Sequence, residues 1–189
     1  MASTKRDHLI ETALQLFYKN GFHATGIDTI LHHAGVARMT LYNHFKSKNE
    51  LILAVIRRQD ELFLHWLRRY VARHAKHPND HLLKLYDALG KWFTGKGFSG
   101  CLFINACAEF SDVNDPVHVA ACEHKTRILG FIQELAAQTN IQDPDLIAHE
   151  IMLLVEGAIV MFHVTGDKNA AINAKKAAEK LIIHASTNR

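Results

Sequence analysis

The segment from Thr25 to Leu51, TGIDTILHHAGVARMTLYNHFKSKNEL, constrains the fold more than any other part of the chain. It holds two short apolar-spaced runs on either side of Ala34-Gly35-Val36. In the first run, Thr25 stands where an N-cap is expected and Asp28 at the acidic third position, while Ile27, Ile30 and Leu31 share one face. The second run, Ala37 to Phe45, turns Leu41 and Phe45 inward and leaves Arg38, Met39, Thr40, Tyr42, Asn43 and His44 outside. Two helices meeting at a steep angle need a small residue and a glycine where their backbones approach, and an apolar residue to plug the corner. The spacing therefore predicts a helix-turn-helix.

The flanking sequence continues in helices. Leu9, Ile10, Ala13, Leu14 and Phe17 recur at helical spacing across Lys5 to Asn20, and Asn20-Gly21 ends that run. A long helix is expected from Ser47 to about His74. Beyond it, His77-Pro78-Asn79-Asp80, Asp115-Pro116 and Asp143-Pro144 mark three helix starts, with proline at the first helical position. Gly95, Gly97 and Gly100 break the chain before Cys101 to Phe110, and Thr165-Gly166-Asp167 separates the last two helices. An all-α fold of about nine helices follows.

Charge and cysteine content narrow the function. From Met1 to His77 there are 12 Lys and Arg against 6 Asp and Glu, whereas from Pro78 to Arg189 there are 10 against 13. The basic part contains the helix-turn-helix, where a cationic face would attract a polyanion. Three cysteines, Cys101, Cys107 and Cys122, without a C-x-x-C suggest neither a disulfide framework nor a zinc module. No run approaches the length of a membrane span, and MASTKRDHLIE lacks the apolar centre of a signal peptide, so a soluble cytoplasmic protein is expected.

Thr25, Ile30, Ala34-Gly35-Val36, Leu41-Tyr42, His44-Phe45, Ser47-Lys48 and Leu51 resemble, in register and without a gap, the amino-terminal signature of the TetR family of bacterial transcription regulators. Two positions depart from it. Leu31 stands for the usual alanine, and Ala37 for the usual serine cap, a loss worth about 1 kcal/mol of helix stabilisation. The resemblance implies a DNA-binding domain over residues 1–47 and a helical ligand-binding and dimerisation domain over 48–189. It implies as partners double-stranded operator DNA, a small-molecule inducer and a second copy of the chain. Thr25, Tyr42, His44 and Lys48 match family positions that resemble phosphate contacts. A short helix in the major groove would let Arg38 pair with guanine, Asn43 with adenine, and Met39 and Thr40 touch thymine methyls.

In the carboxy-terminal part, Ile151, Leu154, Val155, Ala158, Ile159 and Phe162 make a broad apolar face. It is expected to pair with its copy in a four-helix dimer interface, with intramolecular core as the alternative. Candidate ligand-pocket residues are Trp92, Phe93, Phe98, Cys101, Phe103, Asn105, Phe110, His124, Arg127, Glu156, Met161 and His163, an aromatic lining with a few polar groups. Ser99-Gly100-Cys101-Leu102 through Ala108-Glu109 resembles a segment of a family subset that includes an electrophile-sensing repressor. Cys101 is accordingly a candidate sensor thiol, and a small buried hydrophobe is the alternative. His118 with Cys122, and His74, His77 and His81, do not supply a ligand set of three or four, so no metal or other cofactor is expected. No catalytic motif or phosphate loop points to an enzyme.

Overall fold

A computed structural model describes residues 4–77 and 80–187. Among them are nine α-helices and no strand: α1 (Lys5–Asn20), α2 (Ile27–Ala34), α3 (Arg38–Tyr42), α4 (Lys48–His74), α5 (His81–Phe93), α6 (Leu102–Glu109), α7 (Pro116–Ala136), α8 (Pro144–Thr165) and α9 (Ala170–Thr187). Of the three proline-marked starts, the first falls on residues 78 and 79, outside the described residues. The other two are capped as expected. Asp115 accepts the Val117 N–H at 2.7 Å, and Asp143 accepts the Leu146 N–H at 3.1 Å.

Two compact units divide the chain: Met1–Leu62 with Cys101–His124, and Phe63–Gly100 with Lys125–Arg189. The first unit is therefore larger than the helix-turn-helix, since α6 and the first half of α7 join it.

The first unit is assembled from caps and a small apolar core. Thr4 and Asp7 form a reciprocal capping box at the start of α1, and Gly21, at φ 86°, ends that helix with its N–H on the Phe17 carbonyl. Leu9, Phe17, Phe22, Ile30, Leu41, Phe45, Leu51 and Ile52 are almost wholly buried, each contributing roughly 1.5–3 kcal/mol. Ser47 accepts the Glu50 N–H at 3.2 Å while the Glu50 carboxylate accepts the Lys46 N–H at 2.7 Å, which fixes the start of α4. Deeper in this unit, Asp60 Oδ1 of α4 lies 2.7 Å from His124 Nδ1 of α7. The His124 ring stacks flat on Phe103 at 3.5 Å, so a buried polar pair sits inside an otherwise apolar layer.

In the second unit, α5, α8 and α9 pack together. Ala170, Ala171, Ala174 and Ala178 give α9 a small-residue face that admits close approach, and the Tyr86 hydroxyl donates to the Ile151 carbonyl. Asp87 is bridged by Lys84 at 2.8 Å and Lys175 at 2.5 Å. Partial burial pushes the Asp87 carboxyl up, but its two lysines outweigh that and hold it below the usual range.

The structure corrects two expectations here. Ile151, Val155, Ala158 and Ile159 are buried within the unit, and Leu154 and Phe162 are half-buried, with Phe162 stacked on Phe93 at 4.5 Å. They form intramolecular core because this face of α8 meets α5 and α9. The opposite side of α8 is also apolar: Leu146, Leu153, Val160 and Val164 are exposed at helical spacing, with Ile172 and Ile183 exposed on α9. Apolar residues on both sides also make α8 long and apolar enough to cross a membrane by composition, contrary to the expectation that no run would be. Asp145, Glu150 and Glu156 lie along it.

Candidate nucleic-acid interface

The turn between α2 and α3 has the geometry that its glycine predicts. Gly35 is left-handed at φ 63°, its N–H bonds the His32 carbonyl at 3.3 Å, and the Val36 N–H bonds the Leu31 carbonyl at 3.2 Å. Both bonds satisfy carbonyls that the end of a helix would otherwise leave open. His8 of α1 bonds the Ala34 carbonyl at 3.0 Å through Nε2, fastening the end of α2 from the other side.

Helix α3 is short, and its end is extended by the Asn43 N–H on the Met39 carbonyl and the Phe45 N–H on the Leu41 carbonyl, both at 2.9 Å. Ala37 stands at the N-cap with extended backbone and no side-chain capping bond, so nothing replaces the missing serine. With Leu41 and Phe45 pinned in the core, Arg38, Met39, Tyr42, Asn43 and His44 are exposed and Thr40 is half-buried. Met39 is 70% exposed, which no packing role would require.

Two of the candidate contact side chains, Arg38 on α3 and Lys48 on α4, are tethered. Arg38 forms an ion pair with Asp28 of α2. An exposed pair of this kind is worth about 0–1 kcal/mol and can be given up for a stronger partner. Lys48 donates to the His23 carbonyl at 3.2 Å, and partial burial pulls its ammonium below the usual lysine range against the opposing effect of Glu109. Thr25 needs correction. It is buried, and its hydroxyl donates to the Gly21 carbonyl at 2.7 Å, so Gly26 and not Thr25 is the N-cap of α2. A hydroxyl enclosed in this way holds the start of α2 and is not presented to a phosphate.

An open cleft of about 310 Å³ between α1 and α4 is lined by Arg6, Arg57 and Arg58 but also by Asp7, Glu50 and Glu61. Its balanced charge gives it no preference for an anion.

A family model described as bacterial regulatory proteins of the tetR family matches residues 9–55, and one described as the tetracyclin repressor-like C-terminal domain matches residues 78–178. The chain belongs to the TetR family. A TetR-family regulator from Streptomyces coelicolor, SCO4454, superposes with a TM-score of 0.86 at 29% identity, covering 96% of each chain. The HTH-type transcriptional repressor KstR2 of Mycolicibacterium smegmatis is 37% identical over 149 residues, covering 76% of this chain and 70% of that protein. The reduced form of Escherichia coli NemR has the same fold at 22% identity, with a TM-score of 0.84 over 93% of this chain and 95% of that one. This TetR-family chain is thus a helix-turn-helix, DNA-binding transcription regulator.

The candidate ligand residues are not brought together within one unit. Trp92, Phe93 and Phe98 cluster with Phe162 and His163 in the second unit. Cys101, Phe103, Asn105, Phe110 and His124 belong to the first, where Cys101 is 5% exposed and Phe110 packs edge-on against Phe22. Glu156 is bridged to Lys125 at 2.7 Å, while Arg127 and Met161 are exposed. Of the histidines weighed as ligands, His118 bonds the Phe110 carbonyl and His74 the Tyr70 carbonyl. Sequence reasoning missed Asp28 as the partner of Arg38, and His23 and Glu109 as neighbours of Lys48. Ten residues separate Asp28 from Arg38 and 86 separate His23 from Glu109, so no local spacing could have paired them.

Proposed function

We propose that this chain is a homodimeric repressor that binds operator DNA through α3 and is released by a small-molecule inducer. The observation that carries the reading is the outer face of α3: Arg38, Met39, Tyr42, Asn43 and His44 stand exposed on a helix whose other face is locked into the core. Arg38 and Asn43 would read base edges, with Met39 and Thr40 contacting thymine methyls. Tyr42, His44 and Lys48 would grip phosphates and set affinity without choosing sequence. In this reading residues 1–47 form the DNA-reading domain and residues 48–189 the ligand-binding and dimerisation domain.

Dimerisation is assigned to the outer faces of α8 and α9. A helix with two apolar faces needs cover on both. Leu153 and Val164, each 73% exposed, are bare in the single chain, and a second copy would cover them. Two heads on such a dimer would enter successive major grooves about 34–36 Å apart. An inducer that binds better to another head spacing releases the DNA by as much as its differential affinity for the two states.

Binding to duplexes from upstream of the chain's own gene, followed by fluorescence anisotropy at two salt concentrations, tests the reading. Salt-sensitive binding to one fragment over scrambled DNA is expected, and no binding to any fragment would refute it. A second reading, sensing through Cys101, draws on the fold shared with NemR. The burial of Cys101 opposes it. Fast alkylation of native Cys101, read by mass spectrometry against the denatured protein, would restore it.

A further inference from the structure

Glu109, the last residue of α6, has no role in the reading above, yet it makes the longest-range polar contacts to the turn between α1 and α2. Its Oε1 accepts the Phe22 N–H at 2.8 Å and its Oε2 accepts the His23 N–H at 2.6 Å, with His23 Nδ1 3.0 Å away. The His23 ring lies over Phe110, the residue that follows Glu109. The approach depends on Gly21: a Cβ there would come within 2.9 Å of Glu109 Oε1, besides being strained at that φ. The His23 carbonyl in turn accepts Lys48 Nζ, so one carboxylate organises the turn and the lysine beside it.

The sign of the charge matters. A fixed carboxylate beside a cation meant for phosphate opposes DNA electrostatically, so charge attraction cannot be what Glu109 adds to DNA binding. Its contribution is therefore geometric.

We propose that Glu109 is a positioning residue for DNA recognition, holding residues 21–23 and Lys48 in the arrangement in which the head meets its operator, so that head geometry follows α6. The inference rests on the DNA-binding reading, and a ligand that displaces α6 would be read by the head through this latch.

The test uses the full chain, Glu109→Gln and Glu109→Asp, a duplex that the wild type selects from a random pool, and a scrambled duplex. Glutamine removes the charge and one acceptor; aspartate keeps the charge but shortens the reach. Both variants are expected to speed hydrogen exchange at the Phe22 and His23 amides and to weaken the selected duplex about tenfold. Scrambled DNA is expected to bind Glu109→Asp unchanged and Glu109→Gln equally or more tightly. Equal weakening of both duplexes would mean lost folding only. Tightening of both by Glu109→Gln, with Glu109→Asp like the wild type, would mean a bystander charge; either result overturns the proposal. One readout needs no variant: wild-type Phe22 and His23 amides that exchange as fast as an open turn would overturn the latch. A wild type that selects no duplex overturns the DNA-binding reading and the positioning role with it, while the exchange rates still report whether the latch exists.

Discussion

The two exposed faces of this molecule are built on opposite principles. On α3 the exposed groups are polar or adaptable, and the cations near it are held by weak internal partners, Arg38 by Asp28 and Lys48 by the His23 carbonyl. On the outer side of α8 the exposed groups include Leu153, Val160 and Val164, and on α9 Ile172 and Ile183 are exposed alongside Lys176, Glu179 and Lys180. A tethered polar face can bind and release a polyanion at small cost, and salt tunes it. A bare apolar face gains only by permanent cover, at roughly 25 cal/mol per Å² removed from water. The first suits a reversible contact and the second an assembly contact.

Several substitutions can break this contrast. Leu153→Asp should have the largest effect: a charge in the apolar face should leave a monomer at micromolar concentration by sedimentation, with melting temperature little changed and operator affinity reduced at least a hundredfold. Ile151→Ala, two residues away on the inner face, should do the reverse. It should lower stability by roughly 2–5 kcal/mol in denaturant melts while the protein stays dimeric. If both substitutions act alike, the division of α8 into inner and outer faces is wrong.

On the head the effects are smaller. Arg38→Ala should weaken the preferred duplex by about 1–3 kcal/mol and relax base choice, whereas Lys48→Ala should weaken all sequences alike and flatten the salt slope by about one per protomer. Equal losses on preferred and random DNA from both variants would erase the distinction between reading and gripping. The smallest effect is acid sensitivity. Glu109 is partly buried, which pushes its carboxyl up, but the His23 and Phe22 N–H bonds outweigh this and hold it below its ordinary value of 4.5. Asp87 is likewise held below 3.8. A depressed carboxyl stabilises the fold fully above its ordinary value, and that contribution is lost as the pH falls through the lower native value. Melting temperature should therefore drop as the pH falls below about 5, and less so in a Glu109→Gln, Asp87→Asn double variant.

The sequence made one of the two faces legible and concealed the other. Around Gly35 the backbone requirement, the caps and the buried partners all sit within a few residues, so local spacing suffices to place Leu41 and Phe45 inside and Arg38 and Asn43 outside. The proline-aspartate starts of α7 and α8 were readable for the same reason. Helix α8 offers two apolar faces of similar strength, and periodicity cannot say which one meets α5 and α9; the face of Ile151, expected at a dimer interface, is the one that is buried. Thr25 misled for a different cause, since its hydroxyl has two local choices, the N–H groups ahead or the Gly21 carbonyl behind, and packing decided for the carbonyl. The Glu109 and Asp60–His124 pairings join residues too far apart in sequence for any spacing rule.

The central claim, a dimer that reads DNA through two copies of α3, is tested most directly by selecting duplexes from a random-sequence pool with the purified full chain and sequencing what is retained. The account predicts an inverted repeat whose half-sites are about one helical turn, roughly 10 base pairs, apart or a multiple of it, lost when Arg38 is replaced by alanine. Retained sequences without an inverted repeat, or the same enrichment with Arg38→Ala as with the wild type, would contradict it.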